Sequence, residues 1–363
     1  MKNKTIILFI IIFSIISILS IYSSSIILSS NYKYLFLKQL LWYLLGFIIT
    51  FIIFKNKKGF FFKYDKLLYF IGILLLILVL IIGSETNGSK AWFEIPGLGT
   101  FQPSEFMKIF LIITLSKELD KYKNIKKTFK NEFLIIVRCF LITLLPSILT
   151  FLEPDTGNVI IYFIILITTL FIFGIRYRWF IISISIILVL CSSFLFLYFY
   201  KEEVFIRLFG TDFFYRMDRI LEWKNNEGMQ LENALSSIGS APIEGYGIGK
   251  TPLYIPEAQT DFISAIIFSN FGYIISIIIL LLIILFDIGI IRIIFKLKPL
   301  YKYLLTGIIT VIIFQQIQNI SMNLGLLPIT GITLPFISYG GSSLISYMIM
   351  IGIILNINKK TNK

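Results

Sequence analysis

Residues 67–83 read LLYFIGILLLILVLIIG, seventeen consecutive positions without one Asp, Glu, Lys or Arg. A helix needs about 20 apolar residues to cross the hydrocarbon of a bilayer. A soluble helix would carry charge along its outer face, and this run carries none. The same reading applies at 5–23, 37–54, 104–117, 133–151, 158–174, 179–200, 262–290, 302–322 and 342–357. The weakest of the ten is 104–117, which is short and holds Glu105 and Lys108. The sequence therefore predicts an all-α, polytopic integral membrane protein with about ten transmembrane helices. One large extracytoplasmic loop, 201–261, follows the seventh, and 1–363 reads as a single transmembrane domain.

Composition agrees. Of 363 residues, 57% are hydrophobic and 15% charged, where a soluble chain would be near a quarter charged; mean hydropathy is +0.88. Cys139 and Cys191 both lie inside apolar runs, as small core hydrophobes do. The absence of histidine excludes a His-ligated metal and a Ser-His or Cys-His pair. The net charge of +13 is sorted by side. Lys55, Lys57, Lys58, Lys126, Lys127, Arg176, Arg178, Lys296, Lys298 and Lys360 fall on alternate connections together with both termini. Basic loops mark the cytoplasm, so ten helices place both termini there, and the charge is a topology signal with no call on nucleic acid.

Ionisable groups at membrane depth are costly and point to function. Three strings on the outer side carry them, and a fourth there is polar and irregular. Gln102-Pro103-Ser104-Glu105-Phe106-Met107-Lys108 starts a helix at Pro103, and Glu105 and Lys108, three apart, share a face. They form either a structural ion pair or the polar wall of a cavity. Glu153-Pro154-Asp155-Thr156-Gly157 sets two carboxylates at a membrane boundary, with Asp155 either an N-cap or a binding group. Pro256-Glu257-Ala258-Gln259-Thr260-Asp261-Phe262 places Asp261 where a polar loop meets the eighth segment, again as a cap or as a working acid. Residues 325–343 hold Pro328, Pro335, Ser338, Gly340, Gly341 and Ser342, too much Pro and Gly for a helix. Irregular backbone at that depth must be buried in protein or line water, so a re-entrant turn beside a cavity is expected.

In this order and together, the four strings resemble the SEDS family, polytopic peptidoglycan polymerases that include RodA and FtsW. The resemblance covers essentially the whole chain. It implies a glycosyltransferase that polymerises lipid II, a disaccharide-peptide on undecaprenyl diphosphate, outside the cytoplasmic membrane, with Asp261 catalytic. It implies substrate contacts from Glu105, Lys108, Glu153 and Asp155. Arg216, Arg219 and Lys250 are candidate cations for the diphosphate; Thr260, Ser338 and Ser342 are further candidate contacts. A divalent cation, Mg or Mn, held by Asp261 and Asp155 would serve the same charge. The implied partners are a class B penicillin-binding protein transpeptidase and other elongation or division membrane proteins. Gln259 stands where relatives often have His, Ala241-Pro242 replaces Gly-Gly, and Ala91 replaces an arginine. The strings slightly favour RodA, the elongation branch, over FtsW, the division branch. A lipid II flippase without bond chemistry and a non-catalytic scaffold are the rival readings.

Overall fold

The computed structural model describes residues 1–27, 34–86, 89–95, 99–210 and 229–359. Its helices are α1 (Asn3–Ile27), α2 (Leu35–Lys55), α3 (Asp65–Ile82), α4 (Pro103–Lys121), α5 (Phe129–Leu152), α6 (Thr156–Phe173), α7 (Tyr177–Tyr200), α8 (Glu202–Phe209), α9 (Met229–Gly239), α10 (Ile263–Ile294), α11 (Pro299–Asn323) and α12 (Gly341–Ile357). Ten of them, all but α8 and α9, coincide with the ten segments read from the sequence to within a few residues. Eight are long and apolar enough by themselves to cross a membrane; α4 is not among these, and α12 is shorter. Their ends follow local chemistry. Pro103 and Pro299 open α4 and α11 at positions where a missing N–H costs nothing. Thr128 and Asp155 cap α5 and α6. Gly174 ends α6 at φ 88°, a left-handed conformation natural to glycine.

The bundle turns apolar faces both inward and outward, as lipid demands. Ile10, Phe13, Leu76, Leu111, Ile112, Ile165 and Ile308 are among the core, while Leu44, Ile48, Leu74, Phe171 and Leu188 face outward. The spanning part of α7 is almost wholly exposed. The weakness of α4 as a predicted span has a physical reason. It packs against α3, α5, α6, α11 and α12, so Ser104, Glu105, Lys108 and Ser116 are buried in protein rather than in lipid.

Two departures from the sequence reading matter for the site. The polar stretch after α3 forms a small antiparallel sheet, β1 (Ser84–Thr86), β2 (Ser89–Ile95) and β3 (Gly99–Phe101), in the order β1-β2-β3. The eighth segment is not one straight span either. Gly272 interrupts α10 with φ 77° and ψ 174°. A 32-residue helix would be about 48 Å long, well beyond the hydrocarbon, and the part after the break suffices to cross it. Residues 263–271 form a buried half-helix held by the loop that precedes it. Tyr246 N–H donates to Ser269 O at 2.9 Å, Gly247 N–H to Asn270 O at 3.0 Å and Tyr273 N–H to Ile243 O at 3.1 Å. A Cβ on Gly272 would stand 2.3 Å from Ile243 O and one on Gly245 would stand 2.5 Å from Asn270 O, so only glycines allow this contact.

Candidate active site

All four polar strings sit at helix ends on one side of the bundle, and there they enclose a cavity of about 470 Å³. Its walls are the β2–β3 region (Ser89, Trp92, Gly99, Thr100), the start of α4 (Gln102, Glu105), the α5–α6 link and α6 start (Pro154 to Asn158), the loop before α10 (Glu257, Thr260, Asp261) and the irregular stretch before α12 (Thr330 to Thr333, Tyr339 to Ser343), with Trp42 of α2 and Gln315 of α11. The re-entrant reading of 325–343 is matched by an unwound segment that lines this cavity. Phe336, at φ 67°, anchors it: its ring packs on Phe13, Phe286 and Tyr347, and Tyr43 donates to its carbonyl.

Asp261 is fixed through its backbone while its carboxylate stays free. Asn319 and Asn323, one turn apart on α11, both donate to the Asp261 carbonyl at 2.9 Å. Asn319 also donates to Ile332 O at 2.8 Å, and Asn323 accepts from Ala265 N–H at 3.1 Å. Ser338 Oγ donates to Thr260 O at 2.6 Å and accepts from Leu334 N–H at 2.8 Å. Tyr339 N–H donates to Gln259 O at 2.8 Å. Among the described residues no side chain or backbone donor reaches the Asp261 carboxylate, so Asp261 does not cap α10, and Phe262 takes that position without a side-chain bond. Burial, and then the nearby Glu257 carboxylate, push Asp261 up to about 7, which puts a base at the pH where it works best. Glu257 itself accepts from Gln259 at 3.0 Å and Thr260 at 2.9 Å.

Asp155 is the reverse case. Its Oδ2 accepts from Gln102 at 2.9 Å, Ser104 at 3.0 Å and the Asn158 side chain at 2.8 Å, and its Oδ1 from Asn158 N–H at 3.1 Å. It is at once the cap of α6 and a wall of the cavity. Glu105 also lines the cavity. Lys108 does not: fully buried, it holds Glu105 Oε1 at 2.8 Å and lies 5.9 Å from the Tyr347 ring centre, while Ser346 donates to Glu105 Oε2 at 3.2 Å. Lys108 thus acts behind Glu105 rather than on a ligand. Glu153 is buried behind the wall, and among the described residues neither of its carboxylate oxygens has a hydrogen-bond partner. Burial first, then Asp155, push it up to about 9.

Of the residues singled out in the sequence, Asp261, Thr260, Asp155, Glu105 and Ser342 line the cavity. Ser338 lies just beneath it, locking the Asp261 loop. Lys250 is exposed in the turn next to Gly249, which docks on Ile26 and Ser23, and it does not line the cavity. Arg216 and Arg219 lie outside the described residues. No Lys or Arg lines the cavity among the described residues. Asn319, Asn323 and Gln315 were not singled out. Their signal was available: amides repeating every four residues in an apolar helix mark a polar stripe turned inward.

Three comparisons bear on this arrangement. A family model described as "Cell cycle protein", covering FtsW, RodA and SpoVE, matches residues 3–363. The chain belongs to the SEDS family. This SEDS protein is 36% identical over 360 residues to the probable peptidoglycan glycosyltransferase FtsW of Wigglesworthia glossinidia brevipalpis, covering 94% of this chain and 89% of that one. It is 34% identical to stage V sporulation protein E of Bacillus subtilis, over 95% and 93% of the two chains. Solved structures share the fold: a peptidoglycan synthase complex at TM-score 0.80 and 23% identity, covering 98% and 96%, and the rod shape determining protein RodA of Thermus thermophilus at TM-score 0.70 and 23% identity, covering 98% and 95%. Where the sequence strings slightly favoured RodA, the two curated relatives named here are FtsW and SpoVE, and the RodA likeness at 23% identity speaks for the fold alone. The chain is a multi-pass membrane protein of this family.

Proposed function

We propose that this SEDS protein is a peptidoglycan glycosyltransferase that polymerises lipid II at the outer face of the bacterial cytoplasmic membrane. The observation that carries the reading is the Asp261 carboxylate. It is bare and half-buried, its backbone is locked by two asparagines, and it lines a cavity at the bundle's outer end. The acceptor sugar hydroxyl must lose a proton as its oxygen attacks the donor's anomeric carbon, and Asp261 takes it as general base. The bond from that carbon to the undecaprenyl diphosphate oxygen breaks, and the diphosphate leaves with the electron pair. A lipid-borne donor explains why the site lies at a membrane boundary. The curated relatives' printed name, peptidoglycan glycosyltransferase, supports this reading.

The leaving diphosphate needs positive charge, and the described lining offers none. A divalent cation, Mg or Mn, would neutralise it. Among the described residues no three His, Cys, Asp or Glu side chains converge on one point, and Asp155 is already saturated by donors. Asp261 fits as a ligand, since its oxygens are free, and Mg²⁺ commonly takes one or two carboxylates plus substrate phosphates.

By family analogy the partner is a single-span class B penicillin-binding protein transpeptidase; a solved neighbour whose complex coordinates polymerization with crosslinking supports this. Other elongation or division proteins would join the same assembly. The test is glycan product from labelled lipid II made by the purified chain with its transpeptidase. Wild-type protein yields polymer and Asp261→Asn yields at least about a hundredfold less while remaining folded. Lipid II crossing vesicles with no polymer formed would favour the flippase reading instead.

A further inference from the structure

The cavity contains an aromatic surface that the chemistry above does not use. Trp42, on α2, and Tyr339, in the unwound segment, both line it. The indole lies flat on the start of α12: a Cβ on Gly341 would stand 2.6 and 2.7 Å from two of its ring carbons, so any other residue there would push the ring away. Both side chains are half-buried, leaving surface open to the cavity.

This ledge is tied to the base. Tyr339 N–H is bonded to Gln259 O at 2.8 Å, and Ser338, one residue earlier, to Thr260 O at 2.6 Å. The segment on which Trp42 rests is therefore tied to the Asp261 loop. Beside it is a polar rim in which Gln102 N–H donates to Ser342 Oγ at 2.9 Å and Ser342 Oγ to Thr100 O at 3.1 Å. An aromatic face carries partial negative charge and attracts polarised C–H groups. The axial C–H face of a pyranose is such a surface, and its equatorial hydroxyls would reach a polar rim.

We propose that Trp42, seated on Gly341, is a stacking platform for one pyranose ring of the lipid-linked saccharide and sets its register against Asp261. The inference rests on the glycosyltransferase reading. A lipid tail is the competing occupant, and a membrane-interface anchor without a ligand is the alternative role.

The experiment measures binding and turnover separately. Binding is read in an Asp261→Asn background, with three probes: labelled lipid II, the same disaccharide-pentapeptide without lipid, and undecaprenyl phosphate without sugar. Adding Trp42→Ala is expected to weaken the two saccharide probes about tenfold and leave undecaprenyl phosphate unchanged. With Asp261 intact, the same substitution is expected to raise KM about tenfold with kcat within about threefold. Trp42→Phe keeps a ring and is expected to recover most of the affinity. Gly341→Ala keeps the tryptophan but displaces it and is expected to behave like Trp42→Ala, so misfolding of one variant leaves the other decisive. Unchanged saccharide binding in both variants overturns the proposal, and so does a loss confined to undecaprenyl phosphate. Absence of polymer from wild-type protein would instead sink the glycosyltransferase reading, and saccharide binding would still report on the ledge.

Discussion

Asp261 and Glu153 are both acids without a hydrogen-bonded cation, yet their settings give them different work. Asp261 lines the cavity with its pKa raised to about 7, and only its deprotonated form can accept the hydroxyl proton. Polymerisation rate should therefore climb as pH rises through about 7 and level off above it, measured by initial rates of glycan formation between pH 5.5 and 9. Asp261→Asn should cost roughly 10²–10⁴ in rate on the high-pH plateau and abolish this pH dependence, so that the loss shrinks as pH falls below about 7. Glu153 is sealed away and raised to about 9. It stays protonated in the folded chain while an unfolded chain ionises it near 4.5. Its stabilising contribution is thus complete below about 4.5 and is lost as pH rises through about 9. Glu153→Gln, neutral throughout, should flatten the decline of thermal stability between pH 5 and 9 and be the more stable chain at pH 8. An unchanged slope in thermal unfolding of the detergent-solubilised protein would refute that account of Glu153.

At the scale of elements, α10 and α11 decide where Asp261 points. Gly272 lets the chain break so that 263–271 tucks under the loop of residues 243–247 before the long span begins. Gly272→Ala forces a side chain into φ 77° and onto Ile243 O. The left-handed backbone alone costs about 1–2 kcal/mol, and the clash adds to it. The expected result is a lower unfolding temperature with faster proteolysis of 240–262. On α11, Asn319→Leu removes the donor to Asp261 O and Ile332 O and strands Ser264. A loss of about 1–3 kcal/mol follows from the unpaired groups, and turnover should fall as Asp261 loses one of the two donors that fix its backbone. The spans were legible here as apolar runs, but the break was not. A lone glycine in a helical pattern is usually tolerated, and only the backbone of residues 243–247 pressing on it turns it into a corner.

The whole molecule is sided. Lysines and arginines collect at 55–58, 126–127, 176–178 and 296–298, while every cavity-lining loop leaves the opposite ends of the helices. Cysteines placed at Lys57 and Lys298, in a chain whose Cys139 and Cys191 are replaced, should react with a membrane-impermeant maleimide only after the membrane is opened. A cysteine at Lys250 should react in intact cells. The inverse pattern would put Asp261 in the cytoplasm and remove it from wall polymerisation outside.

What the amino-acid order settled by itself was the set of apolar segments, the sorting of basic residues onto alternate connections and the four polar strings. A bilayer imposes those constraints locally, through length, apolarity and the cost of burying charge, so each is readable within some twenty residues. What only tertiary structure decided was the division of labour among the polar residues. Glu105, Asp155, Asp261 and Ser342 meet around one cavity although as many as 237 positions separate them (342 − 105). Lys108 was drawn behind Glu105 and Lys250 left exposed away from the cavity. Which acid is bare, which is saturated and which is sealed depends on donors from distant helices, and no local pattern encodes a partner that packing alone brings near.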